Sequence, residues 1–170
     1  TIYNTLIASS PGAGKTTILR DIVRRLSDGI EQIKFKGKTI GLVDERGEIA
    51  AVYKGIAQND VGIRTDVMDN ISKDVGMKLL IRSMSPQIIV ADEIGKAEDV
   101  TAINYAVCSG IKGIFTAHGG NLNELKLNPA IKDIINKHIF ERIIFLNNSE
   151  HGKLDKIYAL DKINNNYVII

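Results

Sequence analysis

Residues 2–17, Ile2-Tyr3-Asn4-Thr5-Leu6-Ile7-Ala8-Ser9-Ser10-Pro11-Gly12-Ala13-Gly14-Lys15-Thr16-Thr17, decide the fold. The apolar, partly β-branched run from Ile2 to Ala8 reads as a buried strand. A turn of small residues follows. From Thr16 onward Ile18, Leu19, Ile22, Val23 and Leu26 recur three and four residues apart, which is the period of a helix. A strand that passes through a glycine-rich turn into a helix suits a phosphate. The loop's backbone N–H groups form a concavity for anions, and the helix N-terminus adds partial positive charge. Small side chains let the backbone wrap closely around the oxygens. Ser10, Pro11, Gly12, Ala13, Gly14, Lys15, Thr16 and Thr17 are therefore the candidate nucleotide-binding residues. Lys15 would reach the β- and γ-phosphates, and the Thr16 hydroxyl would ligate Mg²⁺. Ser9 stands where the usual pattern has its first glycine. A G-x-G-K-[ST] string arises by accident in on the order of one chain per hundred of this length, and the flanking strand and helix make accident rarer still.

Outward from this turn, Ser27-Asp28-Gly29 ends the first helix, with Gly29 as its C-cap. Apolar runs at Thr39 to Val43, Ile88 to Ala91, Gly113 to Ala117 and Arg142 to Leu146 read as further strands. Helices are predicted around Met77 to Met84, ending before Pro86, and over Ala97 to Ser109. A third spans Asn121 to Lys137, with a break near Pro129. Glu48 to Asp69 lacks a clean period and reads as a long functional loop. The alternation predicts an α/β P-loop fold: a mostly parallel central sheet flanked by helices, in one domain over residues 1–170 with strands to about residue 147. Leu154 to Leu160 and Tyr167 to Ile170 predict a C-terminal β-hairpin within 153–170.

Three other strand ends carry polar chemistry. Ile88 to Ala91 runs into Asp92-Glu93, the pattern of a Walker B element: Asp92 would hold Mg²⁺ through its water shell, and Glu93 would polarise the attacking water. Consecutive strand residues point to opposite faces, so the two carboxylates can share one site only where the strand ends and twists. The second strand ends in Asp44-Glu45-Arg46, the fourth in Thr116-Ala117-His118. Open α/β sheets bind ligands beyond the carboxyl ends of their strands. Lys15, Asp44 or Glu45, Asp92, Glu93 and His118 should thus meet at one edge, with His118 as a γ-phosphate sensor.

These motifs resemble the ATPase domain of the type II and type IV secretion ATPases, from about Leu6 to Leu146. The phosphate loop Gly12 to Thr17 is one. Val43-Asp44-Glu45-Arg46-Gly47-Glu48 is similar to that family's Asp box. Ile81-Arg82-Ser83-Met84-Ser85-Pro86, leading into Ile88 to Gly95, resembles its Walker B region, and Gly110 through Gly113-Ile114-Phe115-Thr116-Ala117-His118-Gly119 its His box. Asp44-Glu45-Arg46 and Ile81 to Pro86 look like the sporulation branch in particular. The resemblance implies a RecA-like sheet that hydrolyses ATP with Mg²⁺ at subunit boundaries of a homo-oligomeric ring, normally a hexamer. It implies membrane-protein partners in a channel or secretion complex, reached from the cytoplasm on the mother-cell side, and an N-terminal domain before this one, with which the non-methionine Thr1 agrees. Asp44 and Glu45 cannot be told apart as the catalytic acid. Ring ATPases complete the site with a neighbour's arginine; of Arg46, Arg64 and Arg82, Arg64 in its irregular stretch is preferred.

Composition narrows the alternatives. A net charge of +2 and 5% aromatic residues give little support to the competing reading, a nucleic-acid-directed RecA-like ATPase or nucleotide-gated binding module. No nucleic acid partner is expected, despite local clusters at Arg20, Arg24 and Arg25 and at Lys34, Lys36 and Lys38. No apolar run approaches the ~18 residues of a bilayer span. Cys108 is the only cysteine, so it has no partner for an internal disulfide, which fits a reducing compartment, and the paired CxxC motifs of some secretion ATPases are missing. No Asn-Lys-x-Asp guanine-reading motif occurs, although ATP over GTP is not settled by that.

Overall fold

The computed structural model describes residues 1–147, 150 and 152–170. In chain order, β1 (Thr5–Ser9) leads through the glycine turn into α1 (Lys15–Asp28). A short ribbon of β2 (Gly29–Ile30) and β3 (Phe35–Lys36) precedes β4 (Ile40–Asp44). A second ribbon, β5 (Val52–Tyr53) with β6 (Ile56–Ala57), precedes β7 (Thr65–Asp69). Then come α2 (Lys73–Met84), β8 (Ile88–Ala91), α3 (Ala97–Cys108), β9 (Lys112–His118), α4 (Leu122–Leu125), α5 (Pro129–Asn136) and β10 (Arg142–Leu146). The hairpin β11 (Leu154–Asp161) and β12 (Asn166–Ile169) ends the chain.

Eight strands form one sheet in the order β12-β11-β10-β1-β9-β8-β4-β7. From β10 to β7 every pairing is parallel, and the hairpin adds two antiparallel strands at the β10 edge. The two-residue period of the strands divides the core in two. Leu6, Ala8, Ile89, Ala91, Phe115, Ala117, Ile143 and Phe145 face the side covered by α2, α3 and α5. Ile7, Ile40, Leu42, Ile88, Val90, Ile114 and Leu146 face Leu19 and Val23 of α1. Strands buried on both faces read as continuous apolar runs, which is why β1, β4, β8, β9 and β10 were visible in the sequence.

The expected long loop at 48–69 is corrected by this arrangement. It contains the β5–β6 ribbon and a full sheet strand, β7, which pairs in parallel with β4 from Ile40↔Thr65 to Asp44↔Asp69. β7 is an edge strand with no fully buried position, so Asp66 and Asp69 are tolerated and the apolar signal is diluted.

At the opening end of the strands, Asn4 ties three of them together. Its side-chain oxygen accepts the Gly113 N–H at 2.9 Å, and its own N–H donates to the Glu141 carboxylate at 3.0 Å. Lys112 Nζ reaches the same Glu141 oxygen at 2.7 Å. Burial alone would raise the Glu141 carboxyl, but Lys112 and the Asn4 N–H outweigh it and hold it below the usual carboxylate value. Among the described residues no helix is long and apolar enough to cross a membrane.

Candidate functional site

The closing ends of β1, β4, β8 and β9 converge on the first turn of α1. At the end of β1 the chain takes left-handed backbone at Gly12 (φ 80°) and Gly14 (φ 90°) before the helix begins at Lys15. An L side chain is strained at such angles. Among the described residues, a Cβ on Gly12 would meet nothing within 4 Å, so at Gly12 it is the left-handed backbone and not crowding that calls for glycine. Gly14 is the N-cap, and no acid follows in the first turn, so the partial positive charge of the helix terminus has no carboxylate of that turn to offset it; the Gly152 N–H donates to Ala13 O at 3.2 Å beside it. Ala13 is buried, whereas Pro11 and Thr17 are exposed around the loop.

Lys15 is 6% exposed and lies back across the loop. Its Nζ donates to Ser9 O at 3.2 Å, Ser9 Oγ at 3.0 Å and Ser10 O at 3.2 Å, and lies 3.4 Å from His118 Nδ1. Burial pushes its ammonium below the ordinary lysine value, and Asp92 and Glu93 offset part of that shift. The departure at Ser9 is explained here. Ser9 is the last residue of β1 and is not among the positive-φ residues, so its backbone makes no demand for glycine. Its hydroxyl donates to Ser10 O at 2.8 Å while accepting from Lys15.

Across the loop, Thr16 Oγ1 donates to Asp92 Oδ2 at 2.8 Å. Thr116 on β9 donates to the other Asp92 oxygen. Glu93 has left-handed backbone (φ 52°), and its N–H donates to Thr116 Oγ1 at 2.7 Å. That turn is how two successive carboxylates come to share one edge instead of pointing to opposite faces. The Glu93 carboxylate meets His118 Nε2 at 3.0 Å and Arg46 at 2.5 Å. A neutral His118 protonated on Nε2 satisfies both its contacts, accepting from Lys15 and donating to Glu93. Thr16 and Asp92 together offer a hydroxyl and a carboxylate oxygen side by side, the hard donor set that Mg²⁺ takes beside a triphosphate.

At the end of β4 the two acids divide. Asp44 is 2% exposed and turns inward. Its carboxylate accepts the backbone N–H of Glu48 at 2.9 Å, of Ile49 at 3.1 Å and of Ala50 at 2.8 Å. Arg20 of α1 grips the same loop from outside, donating to Ile49 O and Glu48 O, each at 2.7 Å. Glu45 and Asp44 both line a small cleft with Arg46, Glu48, Lys73, Asp92 and Glu93, but only Asp44 has its carboxylate taken up by backbone N–H groups. The partner of Glu45 is Lys73, whose side chain is only 7% exposed. A burial this deep needs such a partner, since an unpaired ammonium away from water is costly. Gly76, one turn into α2, makes the approach possible: a Cβ there would sit 2.7 Å from Val43 Cγ1.

The site therefore brings together Lys15, Thr16, Asp92, Glu93, His118 and Glu45. Arg64 does not join it within the chain. It lies at the opposite end of the sheet, where its guanidinium donates to Ser27 O at 3.0 Å at the C-terminus of α1, a position favoured by the helix dipole. Arg82 is exposed in the last turn of α2, and Arg46, instead of pairing with its neighbours Asp44 and Glu45, reaches Glu93. Sequence reading missed Lys73, Thr116 and Arg20 as parts of this architecture. Thr116 lay inside a motif whose histidine drew the attention, and nothing local marks Lys73 or Arg20.

A family model described as "Sporulation stage III, protein AA" matches residues 1–164. Stage III sporulation protein AA of Bacillus subtilis (strain 168) is 40% identical over 159 residues, which are 93% of this chain and 51% of that protein. Among solved structures, the Legionella pneumophila ATPase DotB superposes with a TM-score of 0.61 at 14% identity, covering 99% of this chain and 44% of that one. The VirB11 ATPase from the Brucella suis type IV secretion system, in complex with sulphate, gives 0.61 at 14% identity, covering 91% and 47%. At that identity the likeness establishes the fold. The chain spans about half the length of that Bacillus subtilis relative.

Proposed function

The chain belongs to the sporulation stage III, protein AA family, and from that membership and its site we propose that it hydrolyses ATP with Mg²⁺ in a ring of copies, a hexamer in the reading we favour. The energy would drive a membrane channel or secretion-like complex, approached from the cytoplasmic, mother-cell side. The observation that carries the reading is the 2.8 Å hydrogen bond from Thr16 to Asp92, made directly under a glycine cradle that faces Glu93 and His118. A phosphate loop and a strand-end acid meeting in this way suit a metal–triphosphate and little else.

In this reading the amides of residues 12–16 and Lys15 hold the β- and γ-phosphates. Mg²⁺, held by Thr16 and through water by Asp92, would neutralise charge on the transferring phosphoryl group. Glu93 takes a proton from the water that attacks the γ-phosphorus as the bond to the β–γ bridging oxygen breaks. His118 joins that base to Lys15 and so senses whether a γ-phosphate is present. Glu45, rather than Asp44, is the second acid, because the Asp44 oxygens are committed to backbone N–H groups. The arginine a neighbouring copy supplies is proposed to be Arg64 or Arg82, since Arg46 serves its own site. Similarity to ATPases of secretion systems supports a motor role, and an aromatic content of 5% leaves few stacking platforms for nucleic acid.

The test is steady-state phosphate release by the assembled protein. Turnover that requires Mg²⁺, disappears in Lys15→Ala, and is lost in Glu93→Gln while nucleotide binding survives is the expected pattern. Normal turnover by Glu93→Gln would remove Glu93 as the base.

A further inference from the structure

We infer that Thr116 is a positioning residue which holds Asp92 and Glu93 in their working geometry through one hydroxyl group; this rests on the ATPase reading above. Thr116 is fully buried, at 0% exposure. The ladder between β8 and β9 ends at Ala91↔Phe115, so the next residues of the β8 strand end have no strand partner. Thr116 takes over from the ladder. Its hydroxyl donates to Asp92, the same oxygen accepts the Glu93 N–H at 2.7 Å, and its carbonyl accepts the Ile94 N–H at 2.8 Å. One residue thus grips three successive positions.

The direction of each bond is fixed by chemistry. An amide can only donate, so the Thr116 oxygen accepts from Glu93 and its single proton is free for the carboxylate. Occupying one Asp92 oxygen leaves the other turned toward Thr16. The bond to the Glu93 N–H supports a left-handed non-glycine residue, a strained conformation that persists only where its surroundings over-determine it. Without the hydroxyl, Glu93 relaxes toward ordinary strand backbone and swings its carboxylate away from His118 and the phosphate loop. Valine has the same shape but offers neither donor nor acceptor. Serine has both.

The experiment compares wild type, Thr116→Val and Thr116→Ser in the assembled, full chain. Thr116→Val is expected to lower kcat roughly 10- to 100-fold, the effect of a misplaced catalytic group. KM and nucleotide affinity should stay within about threefold, and Thr116→Ser should restore turnover. Unchanged kcat in Thr116→Val overturns the inference, as does a loss in Thr116→Ser equal to that in Thr116→Val. If Thr116→Val fails to fold, Thr116→Ala removes the same hydroxyl and must show the same loss. Absence of turnover in wild type would instead count against the ATPase reading. The positioning role is then decided by amide hydrogen exchange at Glu93 in nucleotide-free protein, faster in Thr116→Val and unchanged in Thr116→Ser. Equal rates in all three would contradict it.

Discussion

Replacing Asp44 by alanine should unfold the chain more readily, and the size of the effect follows from three backbone donors. The carboxylate accepts N–H groups from Glu48, Ile49 and Ala50. Glu48 is exposed, and its amide can turn to water. Ile49 and Ala50 are both at 0% exposure, so their two amides lose these acceptors with no solvent to replace them. Leaving a buried donor unsatisfied costs about 1–3 kcal/mol. Two such donors give about 2–6 kcal/mol, a large part of the roughly 5–15 kcal/mol that holds a domain folded. At this size each kcal/mol moves the melting midpoint by about 2–4 °C. Urea denaturation with linear extrapolation measures the loss directly, and Asp44→Asn, which keeps one acceptor oxygen, should fall between. Glu45→Gln serves as the contrast. It keeps an acceptor for Lys73, so it should lose less stability than Asp44→Ala but more turnover. If Asp44→Ala melts as wild type does while turnover vanishes, Asp44 is the catalytic acid and the scaffolding assignment is wrong.

Ser9→Gly, which restores the usual phosphate-loop pattern, should leave nucleotide affinity nearly unchanged and lower stability by about 1–3 kcal/mol, because glycine in a strand carries an entropic cost and the buried Lys15 ammonium loses one of its acceptors; a marked gain in affinity would show that the serine strains the loop. Nucleotide binding should weaken on the alkaline side at a pH below the ordinary lysine value of 10.5, since burial lowers the Lys15 pKa and phosphate favours the ammonium. Proton uptake on binding, read from the dependence of binding heat on buffer ionisation enthalpy, checks the sign. Glu141 has a folded pKa below its unfolded value of 4.5, so its contribution to stability is complete above that pH and is lost as pH falls through the folded value. Acid unfolding of Glu141→Gln should accordingly show a shallower pH dependence below 4.5 than wild type.

The central strands were legible because burial on both faces writes apolar runs into the chain, as in Ile88 to Ala91 and Arg142 to Leu146. The glycine turn between β1 and α1 was legible because left-handed backbone at Gly12 and Gly14 calls for glycine at those two positions. β7 was not, since an edge strand half in water carries Asp66 and Asp69 as readily as Val67. The choice between Asp44 and Glu45 was out of reach for a different reason. Adjacent acids at a strand end are equivalent in sequence, and only the path of the loop over Glu48 to Ala50 shows which one turns inward. Thr116 and Lys73 act through contacts 24 and 28 residues away in the chain, and no local period encodes such a distance. Arg64 illustrates the converse: an irregular stretch drew attention to a residue whose bonds within the chain serve a helix terminus.

Calorimetric titration of magnesium-ATP into the protein, with Lys15→Ala alongside, tests the central claim most directly. One nucleotide per chain, bound only when Mg²⁺ is present and not bound by Lys15→Ala, is the result expected. No heat of binding from the wild-type chain, or equal binding by the Lys15→Ala variant, would mean that the cradle between Gly12 and Thr16 does not receive a triphosphate.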